Sequence, residues 1–391
     1  MCSFRRRGAT GVQHNLDVEH MRCALDLAQA TVGLASPNPQ VGCVLVRDGK
    51  IVGQGAHLYD HFDHAEIVAL KQAGAQARGA TAYVTLEPCS HHGRTGPCAD
   101  ALIAAGVTRV VVATVDPNPQ VSGQGIARLR AAGVEVEVGL LQQDARQLND
   151  AFANFIRTGR PLVTLKAALS ADGKLAPPVS ARIARQPHWL TGPEARAEVQ
   201  RMRHAADAVL TGIGTVLADD PALTDRTGLP RRRPLLRVVL DSQLRTPLDS
   251  QLARSGNGDV LILCAPHANP QRAAALQAGG VEVERITVRD SLLDLNAVLD
   301  SLGARKILSL LLECGSQLNG AFLAQNLVDK VVLFQSPSGL GEHAVPFAAS
   351  FGPHSALEQS LRSVSRQAFG SDIAVSGVLH DPWDGLGDEL G

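Results

Sequence analysis

The sequence predicts an α/β protein built from two domains. Its 391 residues divide into two to three domains at ~150 residues each, and either half is long enough to bury a substantial core. Strand-patterned and helix-patterned segments alternate up to Val138, and a second alternating series starts after Gly159-Arg160-Pro161. The strand segments are continuous runs of β-branched residues, the composition of a sheet covered by helices on both faces. The boundary is placed near residue 158, giving one domain over 1–158 and another over 159–391.

The elements follow in order. Met21, Ala24, Leu25 and Ala28 recur at the i, i+3, i+4, i+7 spacing of one helix face. Val41–Val46 and Ile51–Gln54 read as strands joined by Asp48-Gly49, a hairpin signal. His64–Gln72 reads as a helix, Thr81–Leu86 as a strand, Cys98–Ala105 as a helix, Val107–Thr114 as a strand, Gly123–Ala132 as a helix and Val134–Val138 as a strand. Asn149–Arg160 reads as a connector. Beyond it, strands are expected at Leu162–Leu165, Ala208–Thr211, Leu236–Leu240, Val260–Cys264, Val281–Arg285, Ile307–Leu312, Lys330–Phe334 and Ile373–His380. Helices are expected at Pro193–His204, Gln271–Ala278, Ser291–Ser301 and Gln317–Gln325.

Composition narrows the class. Lysine plus arginine total 37 against 38 aspartates plus glutamates, a net charge of −1, so nothing draws the chain towards nucleic acid or anionic membranes. Apolar residues at 45 % exclude a disordered chain, and aromatics at 3 % leave a core of Ala, Val, Leu and Ile. No apolar run approaches the ~18 residues of a membrane span. Met1–Asn15 lacks the apolar stretch of a signal peptide, and a cytoplasmic location is expected. Seven cysteines (Cys2, Cys23, Cys43, Cys89, Cys98, Cys264 and Cys314) are an odd number spread along the chain, which argues against a secreted disulfide framework. Each defaults to a small buried hydrophobe; Cys89 and Cys98 depart from that default.

His64-Ala65-Glu66 opens a helix, Pro88-Cys89 follows a strand, and Cys98 comes nine residues later. One imidazole and two thiolates are a catalytic zinc set with the fourth position open. Zinc brings the pKa of water towards neutrality, and Glu66 is placed to shuttle a proton from water to a leaving amine, the logic of nucleobase deaminases. Residues two apart on a helix point ~200° apart, so spacing alone does not bring Glu66 to the metal. A structural site closed by His91 or His92, or buried thiols without metal, stands beside this reading.

The segment from Glu87 to Cys98, with Ser36-Pro37-Asn38-Pro39-Gln40-Val41-Gly42 and Asp116-Pro117-Asn118-Pro119, resembles the bifunctional riboflavin-biosynthesis deaminase/reductase family in order and spacing. The resemblance covers nearly the whole chain. It implies an N-terminal cytidine-deaminase-like three-layer αβα domain and a C-terminal dihydrofolate-reductase-like α/β domain. It further implies that zinc is held by His64, Cys89 and Cys98, that Glu66 is catalytic, and that Asn38, His57, His91, Arg94, Asp116 and Asn118 contact the substrate. Asn amides can read a pyrimidine edge, and His91 and Arg94 suit a ribose phosphate; Asn38 and Asn118 also suit turns beside proline. The chain departs from the family at His61 and Asp63, where glycine and proline are usual.

In the second half, Gly212-Ile213-Gly214 ends a strand, but Leu217 stands where a Rossmann fingerprint needs glycine. Lys166–Lys174, Trp189–Pro193, Asp207–Thr224, Asp241-Ser242 and Glu313-Cys314-Gly315 instead resemble the reductase half of the same family. By that resemblance Ala168, Trp189, Thr215, Asp219, Ser242 and the turn from Gly315 contact NADPH, while Arg203, Leu223, Arg226 and Glu313 contact substrate. A glycine turn before a helix suits cofactor phosphates, and paired guanidinium hydrogen bonds suit a 5′-phosphate. Trp189 also suits core packing, Arg203 and Arg226 suit a solvated surface, and Asp219 suits a turn cap. Pro187 stands where the family often has a substrate-contacting serine.

The resulting expectation is a cytoplasmic enzyme, binding neither nucleic acid nor membrane. It deaminates 2,5-diamino-6-ribosylamino-4(3H)-pyrimidinone 5′-phosphate and then reduces the ribosyl group to ribityl with NADPH, as a homodimer or higher homo-oligomer. A nucleic-acid base deaminase with an appended domain is the alternative, disfavoured by the long Cys89–Cys98 loop in place of C-x-x-C. A zinc scaffold without turnover is disfavoured by Glu66.

Overall fold

The computed structural model describes residues 6–91, 96–183, 185–186 and 188–386. Two compact units result: Met1–Thr158 together with Trp383–Gly391, and Gly159–Pro382. The second domain was expected to run to residue 391. Instead Trp383 packs with the first unit, because its indole N–H donates to Asp150 Oδ1.

The first unit runs α1 (Arg6–Gln29), β1 (Gly42–Arg47), β2 (Lys50–Ala56), α2 (Ala65–Ala73), β3 (Thr81–Val84), α3 (Cys98–Ala105), β4 (Arg109–Val112), α4 (Gln124–Ala131), β5 (Glu135–Val138), α5 (Gln142–Leu148) and α6 (Asp150–Thr158). Asn149–Arg160, expected as a connector, is therefore mostly helix. The sheet order is β2-β1-β3-β4-β5, with β1 antiparallel to both neighbours and β3, β4 and β5 parallel. Asp48 and Gly49 both take positive φ, 51° and 72°, as the two-residue turn between β1 and β2 requires.

Period-two alternation sends strand side chains to opposite faces. Cys43, Leu45, Val84 and Val110 pack with Ala65, Ala69, Ala99, Leu102 and Leu129 of α2, α3 and α4. Val44, Val46, Tyr83 and Val111 pack with Met21, Ala24, Leu25 and Ala145 of α1 and α5. The result is three layers, αβα. Asp17 of α1 is tied to the sheet by two hydrogen bonds from Arg109 (2.9 and 2.8 Å) and one from the Tyr83 hydroxyl.

The second unit runs β6 (Leu162–Leu169), β7 (Lys174–Ala176), α7 (Pro193–Ala205), β8 (Ala208–Gly212), α8 (Ile213–Asp219), β9 (Leu236–Leu240), α9 (Gln251–Arg254), β10 (Val260–Cys264), α10 (Pro270–Ala278), β11 (Glu282–Arg285), β12 (Val288–Arg289), β13 (Leu292–Leu293), α11 (Leu295–Ala304), β14 (Ser309–Leu312), α12 (Ser316–Ala324), β15 (Lys330–Gln335), β16 (Val345–Pro346), α13 (His354–Ser360), β17 (Arg362–Phe369) and β18 (Asp372–Val378). Nine strands form the sheet β11-β10-β9-β8-β14-β6-β15-β18-β17. It is parallel from β11 to β15, and antiparallel at β18 and β17. One core packs α11 and α12 on the sheet through Val298, Leu302 and Phe322; another packs α9 and α10 through Leu252 and Leu276.

The helix expected from Ser291 starts later. Asp290 and Ser291 take positive φ in the turn between β12 and β13, and Asp294 caps α11 by accepting from Asn296 N–H. No helix among the described residues is long and apolar enough to cross a membrane. Cys43, Cys264 and Cys314 are buried free thiols and Cys23 is half-buried; Cys2 lies outside the described residues.

Candidate active sites

The ligand cluster forms where two helices begin. His64 is the N-cap of α2, with extended backbone at φ −75° and ψ 161°, so the helical ~200° separation from Glu66 does not apply. Cys98 is the first residue of α3, and its N–H donates to Cys89 Sγ at 3.3 Å. His64 Nδ1 stands 3.2 Å from Cys98 Sγ and 3.5 Å from Cys89 Sγ. All three ligand atoms lie within 4.8 Å of one another, and one imidazole nitrogen plus two sulfurs fit zinc. Helix N-termini favour thiolate. A side-chain hydrogen bond with Cys98 holds the Cys89 thiol well below its ordinary value, and that side-chain bond with burial pushes the Cys98 thiol up.

Close backbone approach seats the cluster. A Cβ on Gly55 of β2 would stand 2.3 Å from the Ala65 carbonyl oxygen, so only glycine lets α2 lie this near the sheet. Glu66, in the first turn of α2, is 3 % exposed, and desolvation is the main cause raising its pKa to about 7.

A cavity of about 220 Å³ opens on the cluster, lined by Asn38, His57, His64, Glu66, Cys89, His91, Asp116 and Asn118 among others. Asn38 Nδ2 is 2.9 Å from His57 Nε2, and His57 Nδ1 is 2.9 Å from the Asp63 carbonyl. Asp116 Oδ1 accepts from Asn118 N–H at 2.8 Å, and Asn118 Oδ1 accepts from Gln120 N–H at 3.1 Å. Both therefore serve turns while lining the cavity. Burial raises the Asp116 pKa to about 6. Arg94 and His92 lie outside the described residues.

Among the lining residues the sequence does not single out, two have distinct roles. Phe152 comes from α6, the segment expected to be a connector. Glu87 accepts from the backbone N–H groups of Asp116, Gly123, Gly125 and Ile126 at 2.8–3.2 Å. This bracket fixes the residue two before Cys89 to the start of α4; a buried acid in Glu-Pro-Cys was the available signal.

In the second unit, Ala168, Trp189, Arg203, Arg226 and Glu313 line one cavity of about 510 Å³, with Lys166, His188, Arg196 and Gln200, which were not anticipated. Trp189 is 60 % exposed, with the Arg196 guanidinium 5.4 Å from its ring centroid; the core-packing reading is overturned. Arg203 is no solvated surface group, since it bonds Glu313. Arg226 is exposed. Leu223 is buried in the core beside Val216 and Leu235, and its side chain does not line the cavity.

Thr215, Asp219, Ser242 and Gly315 lie outside that lining. Thr215 Oγ1 approaches Gly315, 3.6 Å from where its Cβ would be. Gly315 is the N-cap of α12, and the buried Ser316 Oγ beside it has no hydrogen-bond partner. An orphaned hydroxyl at a helix N-terminus after a glycine turn fits the phosphates of a dinucleotide. Ser242 carries its carbonyl to Ala265 N–H, and Asp219 ends α8, where burial raises its pKa.

Residues 14–114 match the cytidine and deoxycytidylate deaminase zinc-binding region, and residues 161–375 match the RibD C-terminal domain. The riboflavin biosynthesis protein RibD of Actinobacillus pleuropneumoniae is 40 % identical over 368 residues, 94 % of this chain and 96 % of the relative. The Escherichia coli protein of that name is 43 % identical, covering 84 % and 89 %. The structure resembles Acinetobacter baumannii RibD with a TM-score of 0.80 at 37 % identity, covering 93 % of this chain and 99 % of that one. It resembles a Thermotoga maritima diaminohydroxyphosphoribosylaminopyrimidine deaminase/5-amino-6-(5-phosphoribosylamino)uracil reductase with a TM-score of 0.77 at 33 % identity, covering 93 % and 99 %. A zinc-binding deaminase region followed by this reductase domain, in relatives that align along most of their own length, places the chain in the RibD family of bifunctional riboflavin-biosynthesis deaminase/reductases.

Proposed function

We infer that the chain catalyses two successive steps of riboflavin synthesis. The first unit hydrolyses the 2-amino group of 2,5-diamino-6-ribosylamino-4(3H)-pyrimidinone 5′-phosphate, and the second reduces the ribosyl group to ribityl. The observation that carries the reading is the cavity lined by Glu66, by His64 and Cys89 of the ligand cluster, and by Asn38, His57, His91, Asp116 and Asn118.

Zinc held by His64, Cys89 and Cys98 supplies the Lewis acidity that makes water nucleophilic near neutral pH. Glu66 accepts the water proton on a carboxylate oxygen and delivers it to the departing amine, so a C–O bond forms, a C–N bond breaks and ammonia leaves. Asn38, held by His57, presents its amide to the pyrimidine edge, with Asn118 on the same cavity and His91 and Arg94 as phosphate partners.

In the second unit NADPH supplies the hydride that C1′ of the ribosyl group receives. Trp189 and the turn from Gly315, with Thr215, would hold the cofactor, the turn suiting its phosphates. Ser242, Asp219 and Ala168 complete the cofactor contacts. Glu313, kept ionised by Lys166 and Arg203, accepts from a ribosyl hydroxyl, and Arg226 meets the 5′-phosphate. The domain limits 1–158 and 159–391 serve this reading apart from the segment from Trp383. The exposed edge strand β17 supports a homodimer, checked by sedimentation.

The test is Glu66→Gln. Ammonia release from the diamino substrate falls by about 10²–10⁴-fold, while NADPH oxidation with the deaminated intermediate stays at the wild-type rate. Undiminished ammonia release would overturn the assignment.

A further inference from the structure

The first cavity has a support outside its own motifs. The Trp383 indole N–H donates to Asp150 Oδ1 at 2.7 Å, 233 positions away in sequence, and the side chain is buried. The Arg146 guanidinium lies over its ring, 5.3 Å from the centroid. Arg146 is in α5 and Asp150 opens α6, so Trp383 grips the junction of the two helices from both sides.

Two arms run from that junction to different walls of the cavity. Asn149 sits between α5 and α6. It accepts from Gln40 N–H at 2.8 Å and donates to the Gln40 carbonyl at 3.0 Å, fixing the backbone two residues after Asn38. Arg146 Nε donates to Thr114 Oγ1 at 3.4 Å, two residues before Asp116. α6 itself sends Phe152 into the lining.

We propose that Trp383 is a positioning residue for the deamination substrate, locking the α5–α6 junction so that Asn38, Asp116 and Phe152 keep their spacing across the cavity. The proposal rests on the reading of this cavity as the pyrimidine site. Indole hydrogen bonding and a cation over the ring both resist rotation of the junction. Glu66 and the ligand cluster are held separately, by α2, α3 and the Glu87 bracket. Loss of Trp383 therefore acts on substrate placement rather than on proton transfer.

The experiment uses the full chain carrying Trp383→Ala, Trp383→Phe, Asp150→Asn or Glu66→Gln. Ammonia release, NADPH oxidation with the deaminated intermediate, and zinc content are measured for each. Trp383→Ala raises KM for deamination about tenfold with kcat within about twofold, and leaves reductase kinetics and zinc content unchanged. Trp383→Phe keeps a ring under Arg146 without the N–H and gives a smaller rise; it carries the test should Trp383→Ala fail to fold. Asp150→Asn retains the Oδ1 acceptor and stays near wild type. An unchanged KM, a fall in kcat alone, or a parallel fall of both activities in the Trp383 variants overturns the proposal. Full ammonia release by Glu66→Gln would instead overturn the site reading beneath it.

Discussion

Arg203 grips Glu313 with two parallel hydrogen bonds, Nε to Oε1 at 2.6 Å and Nη2 to Oε2 at 3.0 Å. Lys166 Nζ stands 3.5 Å from the same Oε2. Burial alone would raise the Glu313 pKa, but the two cations outweigh it and hold the carboxyl at about 2, below its ordinary 4.5. A carboxylate whose pKa is depressed by folding adds stability above its unfolded value and loses it as pH falls towards the folded one. The contribution is about 3 kcal/mol at neutral pH, most of it gone by about pH 3. Urea unfolding of wild type and Glu313→Gln at neutral and acid pH measures this directly. The stability gap narrows on acidification; a gap independent of pH would refute the linkage.

Arg203 and Arg226, grouped together by sequence as phosphate partners, separate by environment. Removing Arg203 leaves a buried carboxylate with Lys166 alone, so Arg203→Ala destabilises by about 3 kcal/mol. Arg226 is exposed, and Arg226→Ala changes stability by less than about 0.5 kcal/mol while raising KM for the phosphorylated reductase substrate. Thermal unfolding beside steady-state kinetics distinguishes the pair. Equal destabilisation by both would contradict the assignment.

Gly125 is the tightest point behind the cysteine loop. A Cβ there would stand 1.9 Å from the Pro88 carbonyl oxygen, and its N–H is held by Glu87 at 2.8 Å. Gly125→Ala must push α4 away from the segment preceding Cys89, at a cost of about 1–3 kcal/mol. The variant unfolds at lower temperature and loses zinc faster on dialysis against chelator. Wild-type zinc retention would show that the loop moves without disturbing its ligands.

The zinc cluster was legible because its motifs put His64 and Cys98 at the starts of helices and Cys89 in the loop after β3, where short-range spacing fixes geometry. The one obstacle, the angular separation of His64 and Glu66, dissolved because His64 is an extended cap rather than a helical residue. Strands with continuous apolar runs were equally readable. The edge strand β17 was not, since all but its last residue are exposed and no alternation marks it. The segment from Asn149 reads as a connector because it runs into the boundary signal Gly159-Arg160-Pro161, although α6 over Asp150–Thr158 is as long as α2. Phe152 was lost with it. The Arg203–Glu313 pair and the Trp383–Asp150 bond join residues 110 and 233 positions apart, beyond any local pattern.

The central place of β6 has a consequence for how the chain is made. β6 is the first strand of its unit to leave the ribosome, yet it lies between β14 and β15, which are synthesised last but for the antiparallel edge. Its apolar row, Val163, Leu165, Ala167 and Leu169, finds partners only once Ser309–Leu312 and Lys330–Gln335 have emerged. The strands of the first unit, in contrast, pair with near neighbours in sequence. Waiting unpaired strands are sites of misassembly in nascent chains, so the interval between β6 and β14 is the vulnerable stretch of synthesis. A chaperone that shields β6 over this interval raises the soluble fraction of the full chain on co-expression.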